Sequence, residues 1–543
     1  MDKKRKVTLG AVLLGALCLI GLVLFFGRYM ILDGHILERA ATQVVLAGEE
    51  LPDVERLQKL ENLENLDVRN IPVTPEEYER LQSQLPDCNI LWNVPIRNTY
   101  YENTVTQLHV TQFYESDIEM LRYFPNLNTV DARGCGNYDA LLKLREAYPD
   151  LTVMYEIALG DGQRLRENAT ECYITYENAR VLLEMIPYLP DIRTVQSQNC
   201  TDYEALMQLQ QEWPELDVNY TVILGDGSYD GKSTQLALDI SQAQGALEKL
   251  RYFPDLNSVT FAGMATDCDL MYQLKCTYPD VVIDWEFELF GVRTCSTATE
   301  LILNEIPMEN TDVVEDALKY FYDLQWVEMC QCGIPSEEMD ALWKRHPETR
   351  FVWAIPMGAS YVRTDSKGFI PFKYGYTITN PFHDEEAKEL KYLVDLEALD
   401  LGHMRMTDIS FLQYMPKLRF LVLSDVICED YSYIADLTEL VFLEMFRSQI
   451  RDLGLLMNLK KLEDLNISWT TKLENPELLK EMTWLKRLWA TANGMSRAQF
   501  KELQEALPNT TICTSAEHPT ASGWRTSDRY FEMRDVLGMY YME

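Results

Sequence analysis

Leu396-Glu-Ala-Leu399-Asp-Leu401 is followed by Leu418-Arg-Phe-Leu421-Val-Leu423, Leu440-Val-Phe-Leu443-Glu-Met445, Leu462-Glu-Asp-Leu465-Asn-Ile467 and Leu485-Lys-Arg-Leu488-Trp-Ala490. The opening leucines are spaced by 22, 22, 22 and 23 residues. Within each hexad the apolar positions alternate as they must on a strand with one buried face. A strand recurring every 22 or 23 residues is one rung of a coil. No single rung buries its own apolar face, so neighbours must stack.

Working toward the N-terminus, the same period hides in a longer one. Thr42-Gln43, Thr106-Gln107, Thr170-Glu171, Thr234-Gln235 and Thr299-Glu300 recur at intervals of 64, 64, 64 and 65 residues. Pro86, Pro149, Pro214, Pro279 and Pro347 follow, one per block, and six residues beyond each stands Trp92, Tyr155, Tyr220, Trp285 or Trp353. Inside a block, Leu63/Leu66/Val68, Leu127/Val130/Ala132 and Leu256/Val259/Phe261 repeat the hexad, and helix-like stretches such as Tyr138–Tyr148 lie between. The spacing predicts three turns per block and roughly twenty turns in all at about 23 residues per turn. It leaves open whether the three strands of a block share one sheet, or whether Leu151–Leu159 and Leu216–Leu224 project as hairpins.

The N-terminus addresses location. Lys3, Lys4, Arg5 and Lys6 precede an uncharged run from Val7 to Gly27, long enough as a helix to cross a bilayer core of about 30 Å. The cationic cluster is expected on the cytoplasmic side, which puts the C-terminal bulk outside the cell. A cleaved signal peptide lacks a small-x-small site here, and Leu17 stands where a lipoprotein cysteine at Cys18 would need a small residue. The expected organisation is a basic tail (1–6), a single-pass signal anchor (7–27), a stalk (28–41), the block array (42–357), an aromatic strand-rich insertion (358–389), the C-terminal repeats (390–513) and a cap over the last open turn (514–543).

Leu390–Pro508, and within it Thr407-Asp-Ile-Ser-Phe-Leu412 and Leu459–Leu465, resembles the internalin-type leucine-rich repeats of Gram-positive bacteria. The whole chain, with its basic-plus-apolar start, its blocks and its Gly523-Trp-Arg to Met533-Arg-Asp ending, resembles anchored leucine-rich-repeat surface proteins of Firmicutes (Clostridia). That resemblance implies an α/β solenoid: a curved parallel sheet with helical or irregular return segments, behind one transmembrane helix. Only Asn493 keeps the asparagine ladder of the C-terminal repeats. A Leu-Pro-x-Thr-Gly sorting motif is missing, which favours membrane tethering over wall attachment. Cys135, Cys200 and Cys332 fall at the consensus position for a small buried group, so packing is expected of them.

A net charge of −36, from 85 acidic against 49 basic residues, excludes a general nucleic-acid binder, which needs clustered Lys and Arg. Gly231-Lys-Ser233 after Gly225-Asp-Gly227 has Asp226 where a phosphate loop needs glycine. Gly160-Asp-Gly162 and Gly225-Asp-Gly227 read as turns. His383-Asp-Glu-Glu386 lacks a second histidine, and a Gly-x-Ser-x-Gly elbow is missing. No catalytic residue, metal ligand or cofactor is therefore expected, and the chain is not read as an enzyme. The composition of a binding hot spot, aromatics beside Arg and carboxylates, lies between and just after the leucines. Those residues are Asp400, His403, Ser424, Asp425, Glu444, Phe446, Arg447, Asn466, Ser468, Trp469, Trp489 and Thr491. The expected role is non-catalytic recognition of a protein or glycan outside the cell on this concave face. A structural spacer of the envelope and a wall-modifying enzyme are the alternatives.

Overall fold

A computed structural model describes residues 3–32, 34–60, 62–160, 162–197 and 199–539, with residues 3–12 and 54 as backbone alone. The fold is leucine-rich-repeat-like, an α/β arrangement of parallel sheets. One compact unit holds the first three blocks together with residues 249–255, and a second, residues 235–248 with the described residues from 256 on, holds the rest of the last two blocks and the C-terminal repeats.

Within each block the three strands do share one parallel sheet. The first pairs Val44 with Leu66 and Leu66 with Ile90; the second aligns Leu108, Val130 and Val153. The third aligns Cys172, Val195 and Val218, the fourth Leu236, Val259 and Ile283, the fifth Leu301, Val327 and Phe351. The middle residue of every row is fully buried. Ten-residue helices return the chain from second to third strand: Pro75–Gln84, Tyr138–Ala147, Tyr203–Glu212, Cys268–Thr277 and Ser336–Arg345. Thr74 starts the first of these with a capping box, accepting from the Glu77 N–H while the Glu77 carboxylate accepts from its own N–H.

The expectation of one curved parallel sheet needs correction. After its third strand every block turns back on itself in an antiparallel hairpin, and the next block opens a new sheet. The hairpins pair Asn93–Ile96 with Thr99–Glu102, Glu156–Ala158 with Arg164–Arg166, Thr221–Leu224 with Gly227–Asp230, and Ala354–Met357 with Ser360–Arg363. In the fourth block the long strand Val282–Leu289 serves both the parallel sheet and the hairpin with Val292–Cys295. Leu151–Leu159 and Leu216–Leu224 are thus half ladder and half hairpin, which is why their alternation outlasts one repeat strand.

The buried aromatic six residues past each proline marks this junction. Its backbone is clamped by a residue eleven positions on. Asn103 N–H donates to Trp92 O at 3.0 Å, the Asn103 Oδ1 accepts from Trp92 N–H at 3.2 Å, and its Nδ2 donates to Ile90 O at 2.8 Å. Ser296 makes the corresponding bonds with Trp285 and Ile283 O, and Thr364 clamps Trp353 on both sides. In the second block the loop is one residue longer and Glu167 clamps Tyr155 from twelve positions on. Gly231 takes the place in the third, because a Cβ there would stand 2.4 Å from the Tyr220 ring. Gly231-Lys-Ser233 is therefore a hairpin end, and the Lys232 ammonium pairs with Asp217 and Asn219. Gly225, at φ +56, makes the two-residue turn expected of its Gly-Asp-Gly; the Gly160-Asp-Gly162 turn includes Asp161, which lies outside the described residues.

Residues 358–389 are not an insertion. The first of them complete the fifth hairpin, and Gly368–Phe369 is the first strand of a seven-stranded parallel ladder. Phe369, Tyr374, Tyr376 and Phe382 pack ring against ring in its first turn. Across the ladder Phe369, Leu399, Leu421, Leu443, Leu465, Leu488 and Ile512 stand side by side. Most returns here are short 3-10 turns such as Ser410–Tyr414 and Leu453–Leu456, and the return before the last strand is a ten-residue helix, Arg497–Ala506. Cys135, Cys200 and Cys332 are free buried thiols, and Cys332 Sγ reaches Leu303 O of the preceding turn at 3.1 Å.

The N-terminal helix runs Lys3–Arg28, and the expected stalk contains the antiparallel pair Tyr29–Leu32 with His35–Glu38. Among the described residues no helix is long and apolar enough to cross a membrane.

Replacing Asn103 by Ala strands the buried Trp92 N–H and Ile90 C=O and should cost about 2–4 kcal/mol in urea unfolding. Asn103→Ser should keep most of that stability, since Ser296 does the same work in the fourth block.

Candidate functional site

The strands of the C-terminal ladder put their leucines on one face and Ala398, Asp400, Phe420, Val422, Phe442, Glu444, Asp464, Asn466, Arg487 and Trp489 on the other. This second face was expected to lie open. It is covered instead by residues 519–539, which leave the last strand and run back across the ladder to the first.

The crossing is followed contact by contact. Asn466 Nδ2 donates to Pro519 O at 2.9 Å and Trp489 Nε1 to Ala521 O at 3.0 Å. Arg487 donates to Gly523 O at 2.6 Å. Trp524, fully buried, lies against Phe442 and Trp489 with ring centroids 5.0 and 5.4 Å away, and its indole N–H donates to the Glu444 carboxylate. Ser527 Oγ donates to Asp464 at 3.0 Å, and Arg529 to Glu463 at 2.8 Å. The helix Asp528–Val536 then passes Arg419, which pairs with Glu532, and reaches the first strand. There a Cβ on Gly368 would stand 2.4 Å from Val536 O. The segment is thus a strap across the strand face rather than a cap on the last turn. Trp524, Met533 and Leu537 close an apolar layer over Ile370, Ala398, Phe420, Val422, Phe442 and Trp489.

Strands apolar on both faces are covered on both faces. Leu418-Arg-Phe-Leu-Val-Leu423 and Leu440-Val-Phe-Leu443 carried that signal, and the reading of their outer positions as an exposed groove missed it. The strap residues Trp524, Arg525 and Arg529 were missed as partners of this face for the same reason.

The twelve expected site residues divide into a buried and an accessible group. Glu444, Phe446, Asn466 and Trp489 are buried, as are Ser424, Ser468 and Thr491. Glu444 accepts from Ser424 Oγ at 3.0 Å and lies 3.6 Å from the Arg525 guanidinium. Asp400 lines a cavity of about 200 Å³ between sheet and strap, with His403, Ser424, Glu444 and Arg525 around it. Burial pushes the Asp400 carboxyl up to about 6; the Gly402 N–H, 2.9 Å away, opposes the shift, neighbouring Glu444 adds to it, and Arg525 and His403 pull it back. Burial also raises Asp464, against the pull of Arg487.

His403, Asp425, Arg447 and Trp469 remain together and accessible. They occupy the same position just past four adjacent strands, each in the left-handed region, with φ of +65°, +62°, +57° and +60°. That conformation costs a non-glycine residue roughly 1 kcal/mol or more. It turns each N–H onto the next rung, to Ser424 O, Phe446 O, Ser468 O and Thr491 O at 2.7–3.0 Å. The side chains then form one row. His403 Nδ1 is 2.6 Å from Asp425 Oδ2, Asp425 Oδ1 is 3.6 Å from Arg447, and the Arg447 guanidinium sits 4.4 Å over the Trp469 ring. Cation, carboxylate and aromatic thus stand on consecutive rungs whose main chain is fixed by hydrogen bonds. Among the described residues no group of three or more His, Cys, Asp or Glu is placed to hold a metal ion.

The raised Asp400 fixes the sign of one pH effect. Its charge opposes the strapped fold, so the fold loses stability as pH rises from about 4 through about 6, by up to about 3 kcal/mol. Asp400→Asn, which keeps an acceptor for Gly402, should raise the thermal midpoint at pH 7.5 and leave it nearly unchanged at pH 4. A thermal-melt series across that range checks it.

No family model matches the chain, and no curated protein matches it. Among solved structures it is similar to an internalin (inlF) from Listeria monocytogenes, at 13% identity over 90% of this chain and 87% of that one, with a TM-score of 0.21. A leucine-rich-repeat protein of Leptospira interrogans is similar at 14% identity over 87% and 96% of the two chains, TM-score 0.21. So is the leucine-rich-repeat ectodomain of the Arabidopsis thaliana receptor kinase GASSHO1/SCHENGEN3, at 11% identity over 87% and 49%, TM-score 0.19. At these TM-scores the likenesses add nothing to the repeat assignment, which rests on the strand register and the leucine row.

Proposed function

We propose that this is a single-pass, membrane-anchored surface protein of the kind found in Firmicutes, whose repeat portion recognises a protein outside the cell without catalysing a reaction. The anchor reading rests on Lys3–Lys6, the uncharged run to Gly27, and a helix over Lys3–Arg28 whose large side chains from Leu13 to Phe26 stand exposed. The recognition reading rests on one observation, the accessible row His403, Asp425, Arg447 and Trp469. An aromatic stacked under a guanidinium beside a carboxylate is what protein hot spots are made of. Main-chain bonds between the four rungs fix its backbone before binding, which lowers the ordering cost.

The test is binding of the exported portion to envelope and host-surface protein extracts. Arg447→Ala and Trp469→Ala should each weaken capture by about tenfold or more, with thermal midpoints within a few degrees of the parent. Undiminished capture by both folded variants would discard the row as the site.

A glycan is the second reading, favoured by a separate cleft of about 430 Å³. Trp343, Tyr392 and Tyr414 line it, with Lys344 and Lys391 at hand as donors. Flat apolar rings with a few polar groups suit a small ring-shaped ligand. Under this reading Trp343→Ala should abolish signals on a glycan array that Arg447→Ala leaves intact.

A further inference from the structure

The strap meets the ladder as a ligand meets a groove. Three contacts take hold of main-chain carbonyls, those of Pro519, Ala521 and Gly523, through Asn466, Trp489 and Arg487. Such contacts hold a polypeptide irrespective of its side chains. One aromatic anchor, Trp524, then fills a pocket walled by Phe442 and Trp489. Two arginines meet acidic groups of the groove, Arg525 facing Glu444 and Arg529 facing Glu463. Backbone capture, a buried aromatic and matched charge together are the elements of peptide recognition.

The leucine core of the ladder lies on the opposite face and contains no strap residue. The link between last strand and strap is short and includes exposed Ser515, Glu517 and His518. The ladder and the strap are therefore separate layers joined by a surface tether. Without the strap, Ala398, Phe420, Val422, Phe442 and Trp489 would form one contiguous apolar patch, the kind of surface that marks a binding site.

We infer that residues 519–539 are a tethered ligand, and that the groove beneath them accepts in trans a polypeptide carrying a tryptophan with arginines one and five positions after it. The inference stands independently of the His403–Trp469 row, which the strap leaves uncovered. Because the tether holds the strap at an effective concentration of order millimolar, an outside segment competes poorly until the strap is released or outnumbered.

The test uses the full chain with a protease site inserted between Ser515 and His518. After cleavage, a fluorescent peptide of residues 516–539 is added, in parallel with its Trp524→Ala and its Arg525→Glu/Arg529→Glu counterparts. The cut chain should exchange its own segment for the parent peptide. Each altered peptide should bind at least about tenfold more weakly, and the uncut chain about 100-fold more weakly or less tightly still. A cut chain that retains its segment without exchange overturns the inference. So does one that loses its circular dichroism once the segment leaves, since the strap is then a fixed part of the core. Equal binding of all three peptides overturns the recognition pattern.

Discussion

No turn of this chain can bury its own apolar face, and the rest of the architecture follows from that constraint. A strand of three residues offers one central side chain to the interior, and that side chain leaves water only when a neighbour stands beside it. The row from Phe369 to Ile512 is the result. Parallel pairing at a fixed register keeps the row in line. The left-handed residues at the strand ends extend the pairing by one more bond per rung. The Cα of each such residue is fixed on its rung, and so the row that stacking requires inside sets out a second row of side chains outside.

The inner row was legible because burial demands the same residue type at every rung. Leu399, Leu421, Leu443 and Leu465 repeat because any one of them replaced by a polar group would disrupt two neighbours. The block boundaries were legible for a similar reason at Pro86, Trp92 and their equivalents. The hairpin closures were not. Asn103, Gly231, Ser296, Thr364 and Glu167 perform one backbone task with five different side chains, since each only needs to satisfy the main chain beside the aromatic. Periodicity sees side-chain type, and a main-chain role leaves it little to see.

The strap was hidden by distance. Trp524 and Glu444 are 80 residues apart, and nothing local in Gly523–Asp535 says which surface it covers. The clue lay at the other end, in strands with apolar residues on both faces. The candidate residues divide along the same line. Glu444, Asn466 and Trp489 alternate with the leucines and came under the strap, whereas His403, Asp425, Arg447 and Trp469 lie past the strand ends and escaped it.

The hairpins that close each block have a mechanical meaning. They interrupt strand pairing between sheets about every 65 residues, so a rupture that starts in one sheet finds no continuous ladder into the next. Stretched between two anchored ends, the array would yield in increments. Each would release roughly 220 Å of extended chain before the load reached the following sheet.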